Sequence, residues 1–209
     1  SGVVDVLEEL KPGEEHNSAR YALVEFLMEA GCELDRLIHV KDGRVGLEKA
    51  LAGCATSDAT IVTLGPEDKH DLAVTALQNC GNVHFSKVHI EPGMATAFGT
   101  VEGKPVFIMN AAAMLEVFEA LIRPGLLSIL GRAEIDRPCV KASIQATLKL
   151  NPGYRHYIKA ITNFGDEGYS VQPIAPMAKP WTLPNSLIVV PENVSGVRRG
   201  EMVEVWMLA

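Results

Sequence analysis

The hydrophobic periodicity of this 209-residue chain changes once, after Pro138, and this change constrains the fold more than any other feature. Before Pro138, apolar residues recur at helical spacing between short apolar runs, which predicts helices alternating with buried strands. Such alternation is typical of a largely parallel sheet covered by helices. From Val140 to Leu150, apolar and polar residues alternate singly, as in a strand buried on one face. The sequence therefore predicts an α/β domain over residues 1–138 and a small all-β domain over residues 139–209.

Individual elements can be placed from their apolar spacing and their turn residues. The predicted strands of the first domain are Val3 to Leu7, Leu37 to Val40, Ala59 to Leu64, Val83 to Ile90 and Pro105 to Met109. Four helices are predicted. The first is capped by Asn17 or Ser18 and ends at Gly31, the second spans Leu47 to Ala52, the third spans Asp71 to Asn79, and the fourth is capped by Asn110. The second domain has about five strands, enough for a barrel or a sandwich.

Charge is distributed unevenly between the two predicted domains. Residues 1–138 carry 12 Lys and Arg against 21 Asp and Glu, a net charge of −9, whereas residues 139–209 carry 7 against 5, a net charge of +2. Nucleic-acid binding needs clustered Lys and Arg to contact phosphates, so the acidic first domain argues against it. An anionic substrate would require a locally basic site.

The cysteines and the apolar segments indicate a cytoplasmic protein. Four cysteines are spread along the chain without a close pair, which favours reduced thiols over disulfides or a zinc knuckle. The most apolar stretch, Ala111 to Leu130, is interrupted by Glu116, Glu119 and Arg123, which would be costly in lipid. No signal peptide or membrane span is predicted.

One run carries a resemblance to a known family: Phe85 to Gly99, with Glu91-Pro92-Gly93-Met94 and Ala97-Phe98-Gly99, followed by Lys104 to Phe107. It resembles the C-terminal half of molybdopterin molybdotransferases, including the matching region of gephyrin. Similar segments follow in family order, among them Leu121-Ile122-Arg123-Pro124 and Asn185 to Gly196. The resemblance implies a three-layer molybdopterin-binding domain followed by a barrel-like β-domain. Members usually have two further N-terminal domains, to which nothing here corresponds.

The resemblance also implies an activity and a set of site residues. The family reaction consumes adenylylated molybdopterin and molybdate, inserts molybdenum at the dithiolene and releases AMP with help from a divalent cation such as Mg²⁺. Asp71 and Asp42 match positions for cation positioning and hydrolysis, with Asp71 as the metal ligand. The pterin nucleotide would be lined by Asn17, Ser18, Thr63, Gly65 and Asn110. The family also forms dimers, so a homodimer is expected.

Several of these positions depart from the family pattern. The loop after Thr63 retains only Gly65, and it contains Pro66, which has no N–H, and the acidic Glu67 and Asp68, so we predict a compromised phosphate cradle. Glu91 and Met94 occupy the two lysine positions of the Pro-Gly turn. These losses lead us to expect inefficient molybdate insertion by this chain alone. They leave open a catalytically silent relative that serves as a pterin-binding or protein-interaction scaffold.

Other residues have both a functional and a structural interpretation. Asn110 is favoured as a helix cap over a ligand contact. Asp68, His70 and Asp71 could hold a cation, although a solvated acidic loop is the commoner explanation. Cys80, His84 and His89 are better explained structurally than as metal ligands, because strand alternation would separate the two histidines. Arg155, His156, Tyr157 and Lys159 resemble a basic family strand or equally a polar strand face.

Overall fold

A computed structural model describes residues 3–4, 15–16, 19–40, 43–65, 69–175 and 183–208. The predicted site residues Asn17, Ser18 and Asp42, and loop residues 66–68, lie outside the described residues. The chain forms two compact units, one from Ser1–Val88 with Ala95–Ala133 and one from His89–Met94 with Glu134–Ala209. Within the described ranges, no helix is long and apolar enough to cross a membrane. The boundary at Pro138 stays a prediction.

The first unit combines helices with short strands. Its strands are β1 (Val3–Val4), β2 (Glu15–His16), β3 (Thr60–Leu64), β4 (Asn82–Phe85), β6 (Ala97–Val101) and β7 (Lys104–Asn110), while β5 (Ile90–Glu91) belongs to the second unit. Its helices are α1 (Ala19–Glu29), α2 (Gly43–Gly53) and α3 (His70–Cys80), followed by a 3-10 turn (Ala111–Ala113), α4 (Met114–Val117), a π-helical segment (Phe118–Ile122) and α5 (Arg123–Ile129). The predicted α/β class is confirmed.

The main sheet of this unit has the order β3-β7-β6-β4 and is mixed. β3 and β7 run parallel, but β6 is antiparallel to both β7 and β4. Largely parallel pairing therefore does not describe these four strands. The cause is local: Glu102 and Gly103, both with positive φ, connect β6 to β7 in a tight turn, and such a short connection can join only antiparallel strands.

Two predicted strands of the first domain are corrected by the structure. Residues 37–40 form no strand among the described residues, and Leu37 and Ile38 are 42% and 51% exposed. A short apolar run does not by itself supply a strand partner. Val83 to Ile90 is not continuous either, because β4 ends at Phe85 and pairing resumes only at Ile90, in the second unit.

Close packing explains why the Ala97-Phe98-Gly99 motif ends in glycine. A Cβ atom at Gly99 would lie 2.3 Å from the carbonyl oxygen of Asn82 and 2.9 Å from Leu77 Cδ2. Only glycine fits where β6 approaches β4 and α3 so closely. The fully buried Leu77 belongs to the core between the sheet and its helices, together with Leu51, Ala97, Val106 and Ile108. The motif thus has a structural function in this fold.

The second unit contains a closed β-barrel, which confirms the barrel-like domain that the family resemblance implied. Its strands are β5, β8 (Cys139–Ile144), β9 (Leu148–Lys149), β10 (Arg155–Gly165), β11 (Gly168–Pro173), β12 (Ser186–Val190), β13 (Gly196–Val197) and β14 (Met202–Met207). Five of them close in the order β8-β14-β12-β10-β11, with β11 pairing back to β8, and β5 adds to the edge of β10. Closure leaves fewer unpaired strand edges.

The predicted strand from Val140 to Leu150 is divided in two. β8 ends at Ile144, and the next amide, on Gln145, donates to the carbonyl of Val171. β9 then pairs with β13 in a separate two-stranded sheet. The chain changes direction between β8 and β9 because these two strands pair with different partners. The alternation of apolar and polar residues nevertheless continues through both.

Candidate functional site

The carboxyl ends of β3 and β7 lie side by side in the first unit. Thr63 is the register partner of Met109, and Leu64 is the register partner of Asn110. Because the strands are parallel, the loop that starts at Gly65 and the 3-10 turn that starts at Ala111 leave the same sheet edge. Ligands of open α/β sheets usually bind at such an edge. Three predicted pterin-lining residues, Thr63, Gly65 and Asn110, are thus brought together here.

Helix α3 begins close in sequence to this edge and lacks a side-chain cap. Its N-cap residue, Lys69, makes no side-chain capping hydrogen bond, although its carbonyl accepts from the amides of Leu72 and Ala73. Unsatisfied amides at a helix start favour an anion. Asp71 lies in the first turn, and its side chain is 96% exposed. The start of α3 therefore combines an N-terminus without a side-chain cap from Lys69 with a solvent-exposed carboxylate.

His70, which begins α3, is a largely enclosed polar side chain without hydrogen-bond partners among the residues that the structure describes. Its side chain is only 13% exposed, and neither ring nitrogen has a hydrogen-bond partner. Its Nδ1 lies 3.7 Å from Oδ1 of Asp71, which is beyond hydrogen-bonding distance. Sequence reasoning grouped His70 with acidic loop residues but could not show that its imidazole would be enclosed.

Asn110 is a helix cap, as predicted. Its side-chain Oδ1 accepts a 2.8 Å hydrogen bond from the amide of Ala112, while its backbone stays extended at the end of β7. This is the ordinary geometry of an N-cap. The bond occupies one amide at the start of the turn, so that amide is already satisfied in the absence of ligand. A ligand contact by Asn110 stays a prediction.

An ion pair between a buried glutamate and a partly exposed arginine in the helical segment after β7 was missed by sequence reasoning. Glu119 is 3% exposed, and its Oε2 lies 4.0 Å from Nε of Arg123 one turn later. Glu116 is also buried, with 4% exposure. The four-residue spacing from Glu119 to Arg123 could have predicted this ion pair, because residues four apart are neighbours on a helix. Such an ion pair stabilises the fold only if the attraction between the two charges exceeds the free-energy cost of removing them from water.

Cys80, His84 and His89, which sequence reasoning explained structurally rather than as metal ligands, can now be placed residue by residue. Cys80 donates through Sγ to the carbonyl of Glu48 at 3.6 Å, and burial followed by the Glu48 charge raises the pKa of its thiol. His84 lies in β4, with Nε2 3.4 Å from Oγ1 of Thr100, whereas His89 belongs to the second unit. Among the residues that the structure describes, no three His, Cys, Asp or Glu side chains are grouped to hold a metal ion.

The Pro-Gly turn of the second unit has its own hydrogen-bond network. Nδ2 of Asn151 donates to both carboxylate oxygens of Glu91, at 3.1 and 3.3 Å. His156 is 4% exposed, and its Nε2 donates to the carbonyl of Asn151 at 2.8 Å, while its Nδ1 lies 3.8 Å from Oε2 of Glu91. The Tyr154 hydroxyl contacts Sδ of Met94 at 3.6 Å. Both residues at the lysine positions therefore have partners of their own.

A shallow cavity of about 360 Å³ lies beside this turn, within the second unit. It is lined by His89, Ile90, Gly153, Arg155, Tyr157 and Glu192. Nε of Arg155 donates to Oε2 of Glu192 at 3.2 Å. The pKa of the Glu192 carboxyl is lowered by its own backbone amide and then by Arg155, whereas burial raises the pKa of the Tyr157 phenol. The cationic group of Arg155 is thus already paired.

Comparison with known proteins places both units in one biosynthetic context. Residues 2–128 match the family model described as a probable molybdopterin binding domain, and residues 141–208 match that of the MoeA C-terminal region, domain IV. The chain is 26% identical over 200 residues to a putative molybdopterin biosynthesis protein of Methanocaldococcus jannaschii, covering 92% of this chain and 47% of the relative. It is 27% identical over 222 residues to molybdopterin molybdenumtransferase 1 of Mycobacterium tuberculosis, covering 99% and 52%.

Solved structures show the same architecture. A molybdopterin biosynthesis MoeA protein from Pyrococcus superimposes with a TM-score of 0.85 at 24% sequence identity, covering all of this chain and 52% of that protein. A molybdenum cofactor biosynthesis protein from Pyrococcus furiosus gives a TM-score of 0.68 at 22% identity, covering 91% and 64%. These structural similarities concern the fold. The chain spans about half the length of the curated relatives described above.

Proposed function

Because this chain belongs to the MoeA-like molybdopterin molybdotransferase family, we propose that it acts in molybdenum cofactor biosynthesis by binding molybdopterin or its adenylylated form. The proposed site is the edge where β3 and β7 end. The observation that carries the proposal is the pairing of Leu64 with Asn110, which sets both family loops at one edge of the sheet. The start of α3, where Lys69 makes no side-chain capping hydrogen bond, supports it further, since the N-terminus of a helix favours a phosphate group.

Within this proposal, each described residue has a defined contribution. Thr63 and Gly65 shape the end of β3, and Asn110 fixes the start of the turn that faces the same ligand. Asn17, Ser18 and Asp42 complete the set by family resemblance, although they lie outside the described residues. Charge repulsion from the acidic first domain would weaken anion binding, so the ligand must be held chiefly by backbone amides.

Within this proposal, Asp71 would hold the divalent cation that the family resemblance implies. Its carboxylate is 96% exposed, and the unpaired imidazole of His70 lies next to it. Oxygen ligands of this kind suit Mg²⁺ together with substrate phosphates. Such an ion, when bound, would supply charge neutralisation for transfer of molybdate and release of AMP. The chain itself would orient the pterin nucleotide and hold the phosphate against the start of α3.

Glu91 favours a second candidate, a catalytically silent relative that binds the pterin or a protein partner. A carboxylate, held by Asn151 and facing His156, stands at a position where the family carries a cation. A carboxylate cannot replace the positive charge that the family lysine would offer to an anion such as molybdate. By family resemblance, we also propose that the chain forms a homodimer and binds molybdate. Both properties can be measured on the same purified protein.

A two-step assay separates the two candidates. Purified chain is first titrated with molybdopterin and with adenylylated molybdopterin, and then supplied with molybdate and Mg²⁺ while AMP release and cofactor formation are followed. Binding with slow or undetectable AMP release supports the silent relative, as the Glu91 and Met94 positions lead us to expect. Robust turnover that is lost in Asp71→Ala supports the transferase. Absence of binding to both pterins would contradict the transferase and the pterin-binding relative, and would leave only the protein-interaction scaffold.

A further inference from the structure

The hairpin formed by β10 and β11 extends beyond the closed part of the barrel. β12 pairs with β10 no further than Ala160, and β8 pairs with β11 no earlier than Ser170. Residues 164–169 form the hairpin tip and pair only with each other among the described strands. All of them except Gly168 are exposed, so the side chains of the tip face solvent instead of the barrel core.

Two aromatic side chains lie on the same face of the hairpin tip. Phe164 and Tyr169 are register partners, so their side chains project from the same side of the ribbon. Their ring centroids are 4.9 Å apart, with an angle of 58° between the planes. Phe164 is 74% exposed, and no other aromatic residue that the structure describes is as exposed. Such a pair stabilises a hairpin, but here it also leaves an aromatic surface that a partner can reach.

The turn that closes the hairpin tip is acidic. Asp166 and Glu167 form a two-residue loop between the paired Gly165 and Gly168, and both acidic residues are exposed. Neither carboxylate is paired with a cationic residue of the described chain. The tip contains no Lys or Arg, although residues 139–209 as a whole carry a net charge of +2. An uncompensated negative charge thus lies next to the aromatic pair.

We infer that the hairpin tip is a docking surface for an arginine-bearing segment of a partner protein. An aromatic face attracts a cation through its quadrupole, and a nearby carboxylate attracts it through its charge. Arginine suits both groups, because its planar guanidinium stacks on aromatic rings and donates two parallel hydrogen bonds to a carboxylate, whereas lysine is a point charge. The inference goes beyond the proposed pterin function and is independent of it, since the tip belongs to the second unit and the proposed pterin site to the first.

Charge separates this partner from two other occupants of an exposed aromatic surface. Anionic lipid headgroups attract basic segments, so they would repel Asp166 and Glu167. Two copies of this chain that met through their tips would bring like charges together, which opposes association. Only a cationic partner gains from both the rings and the carboxylates.

The test is isothermal titration calorimetry of the full chain with a short Gly/Ser peptide that carries arginines. Lysine and citrulline versions of the peptide separate guanidinium recognition from general attraction to an acidic protein. We expect affinity to decrease in the order arginine, lysine, citrulline, and to decrease further as salt is added. Phe164→Leu keeps the apolar bulk but removes the aromatic face, so it should weaken binding of the arginine peptide about fivefold, whereas Phe164→Trp should retain or strengthen it.

Matched variants make the result specific. Asp166→Asn combined with Glu167→Gln removes the acidic turn and should also weaken binding of the arginine peptide. Phe85→Leu makes the same aromatic change at another exposed phenylalanine, and Glu134→Gln combined with Asp136→Asn makes the same charge change elsewhere on the second unit. Both controls should leave the affinity unchanged.

Three calorimetric results would overturn the inference: equal affinity for the arginine and citrulline peptides, unchanged affinity in Phe164→Leu, or an equal loss of affinity in the matched controls. Self-association of the chain, or binding to phosphatidylserine vesicles, that is lost in Phe164→Leu would assign the tip to another occupant and overturn it as well. The same variants should bind adenylylated molybdopterin as the unmodified protein does. Failure of the docking surface is therefore distinguishable from failure of the pterin site.

Discussion

Leu64 and Asn110 are register partners at the ends of two parallel strands, and this pairing sets the location of the candidate site. Leu64 is buried, whereas Asn110 is partly exposed and caps the following turn. The position of the loop after β3 is therefore linked to the position of the turn after β7. A change in either strand end should affect both family loops.

Replacement of Asn110 tests the cap directly. Asn110→Ala removes the acceptor for the amide of Ala112 and should lower the free energy of unfolding by about 1 kcal/mol. Asn110→Asp keeps an acceptor at the same place and should retain most of that stability. Urea unfolding of the three proteins measures the difference. Equal stability of Asn110→Ala and the unmodified protein would show that the cap contributes nothing.

Gly99 should tolerate no side chain. Gly99→Ala would bring a methyl group to 2.3 Å from the carbonyl oxygen of Asn82, so the strand or its neighbour must move. We expect a loss of about 1–3 kcal/mol, the range for overpacking. Gly53→Ala is the matched control, because a Cβ there would meet nothing within 4 Å. Thermal unfolding of both variants should show a large decrease in Tm only for Gly99→Ala.

The barrel contains a buried pair of hydroxyl groups that should be energetically coupled. Oγ of Ser186 donates to the carbonyl of Ala160 at 3.1 Å and lies 2.8 Å from Oγ1 of Thr162. Ser186→Ala leaves buried partners unsatisfied and should cost about 1–3 kcal/mol. Ser128→Ala, which removes an exposed hydroxyl bonded within its own helix, should cost less.

A double-mutant cycle then isolates the contact between the two hydroxyls. Thr162→Val combined with Ser186→Ala should destabilise the barrel by less than the sum of the single changes, since both partners are removed together. Strict additivity in urea unfolding would mean that the 2.8 Å contact carries no coupling energy.

Tyr157 should make stability depend on alkaline pH. Burial raises the pKa of its phenol above the ordinary value of 10.0, while Arg155 acts in the opposite direction. The folded protein thus keeps this proton when the unfolded chain loses it, so the stabilising contribution is complete below pH 10 and decreases as pH rises through the folded pKa. Unfolding measured across this range should show a shallower alkaline loss for Tyr157→Phe, with Tyr169→Phe as the control. Identical pH profiles would contradict the prediction.

Some features were predictable because they depend on neighbouring residues alone. The Asn110 cap follows from an asparagine before a helix-forming run, and the helix His70–Cys80 follows from local apolar spacing. Single-residue alternation predicted a strand with one buried face, although the residue pattern alone left a barrel and a sandwich open. These predictions needed no knowledge of distant partners.

Other features depended on contacts that the sequence does not encode locally. Residues 37–40 have the composition of a strand, but strand formation needs a partner in register. The division of β8 from β9 is set by Val171 and by the separate strand β13. The enclosure of His70 likewise depends on three-dimensional packing rather than on its neighbours in the sequence. Fold class was therefore easier to predict than the burial and hydrogen bonding of the residues at the candidate site.

The central claim is that the edge formed by β3 and β7 binds a pterin nucleotide, and equilibrium binding of adenylylated molybdopterin tests it most directly. A bulky substitution at Gly65 would obstruct this edge, whereas the same substitution at Gly53 would project from the end of α2 into open space. We predict saturable binding of one ligand per chain that Gly65→Trp weakens at least tenfold and Gly53→Trp leaves unchanged. Absence of saturable binding, or equal affinity in all three folded proteins, would contradict the account.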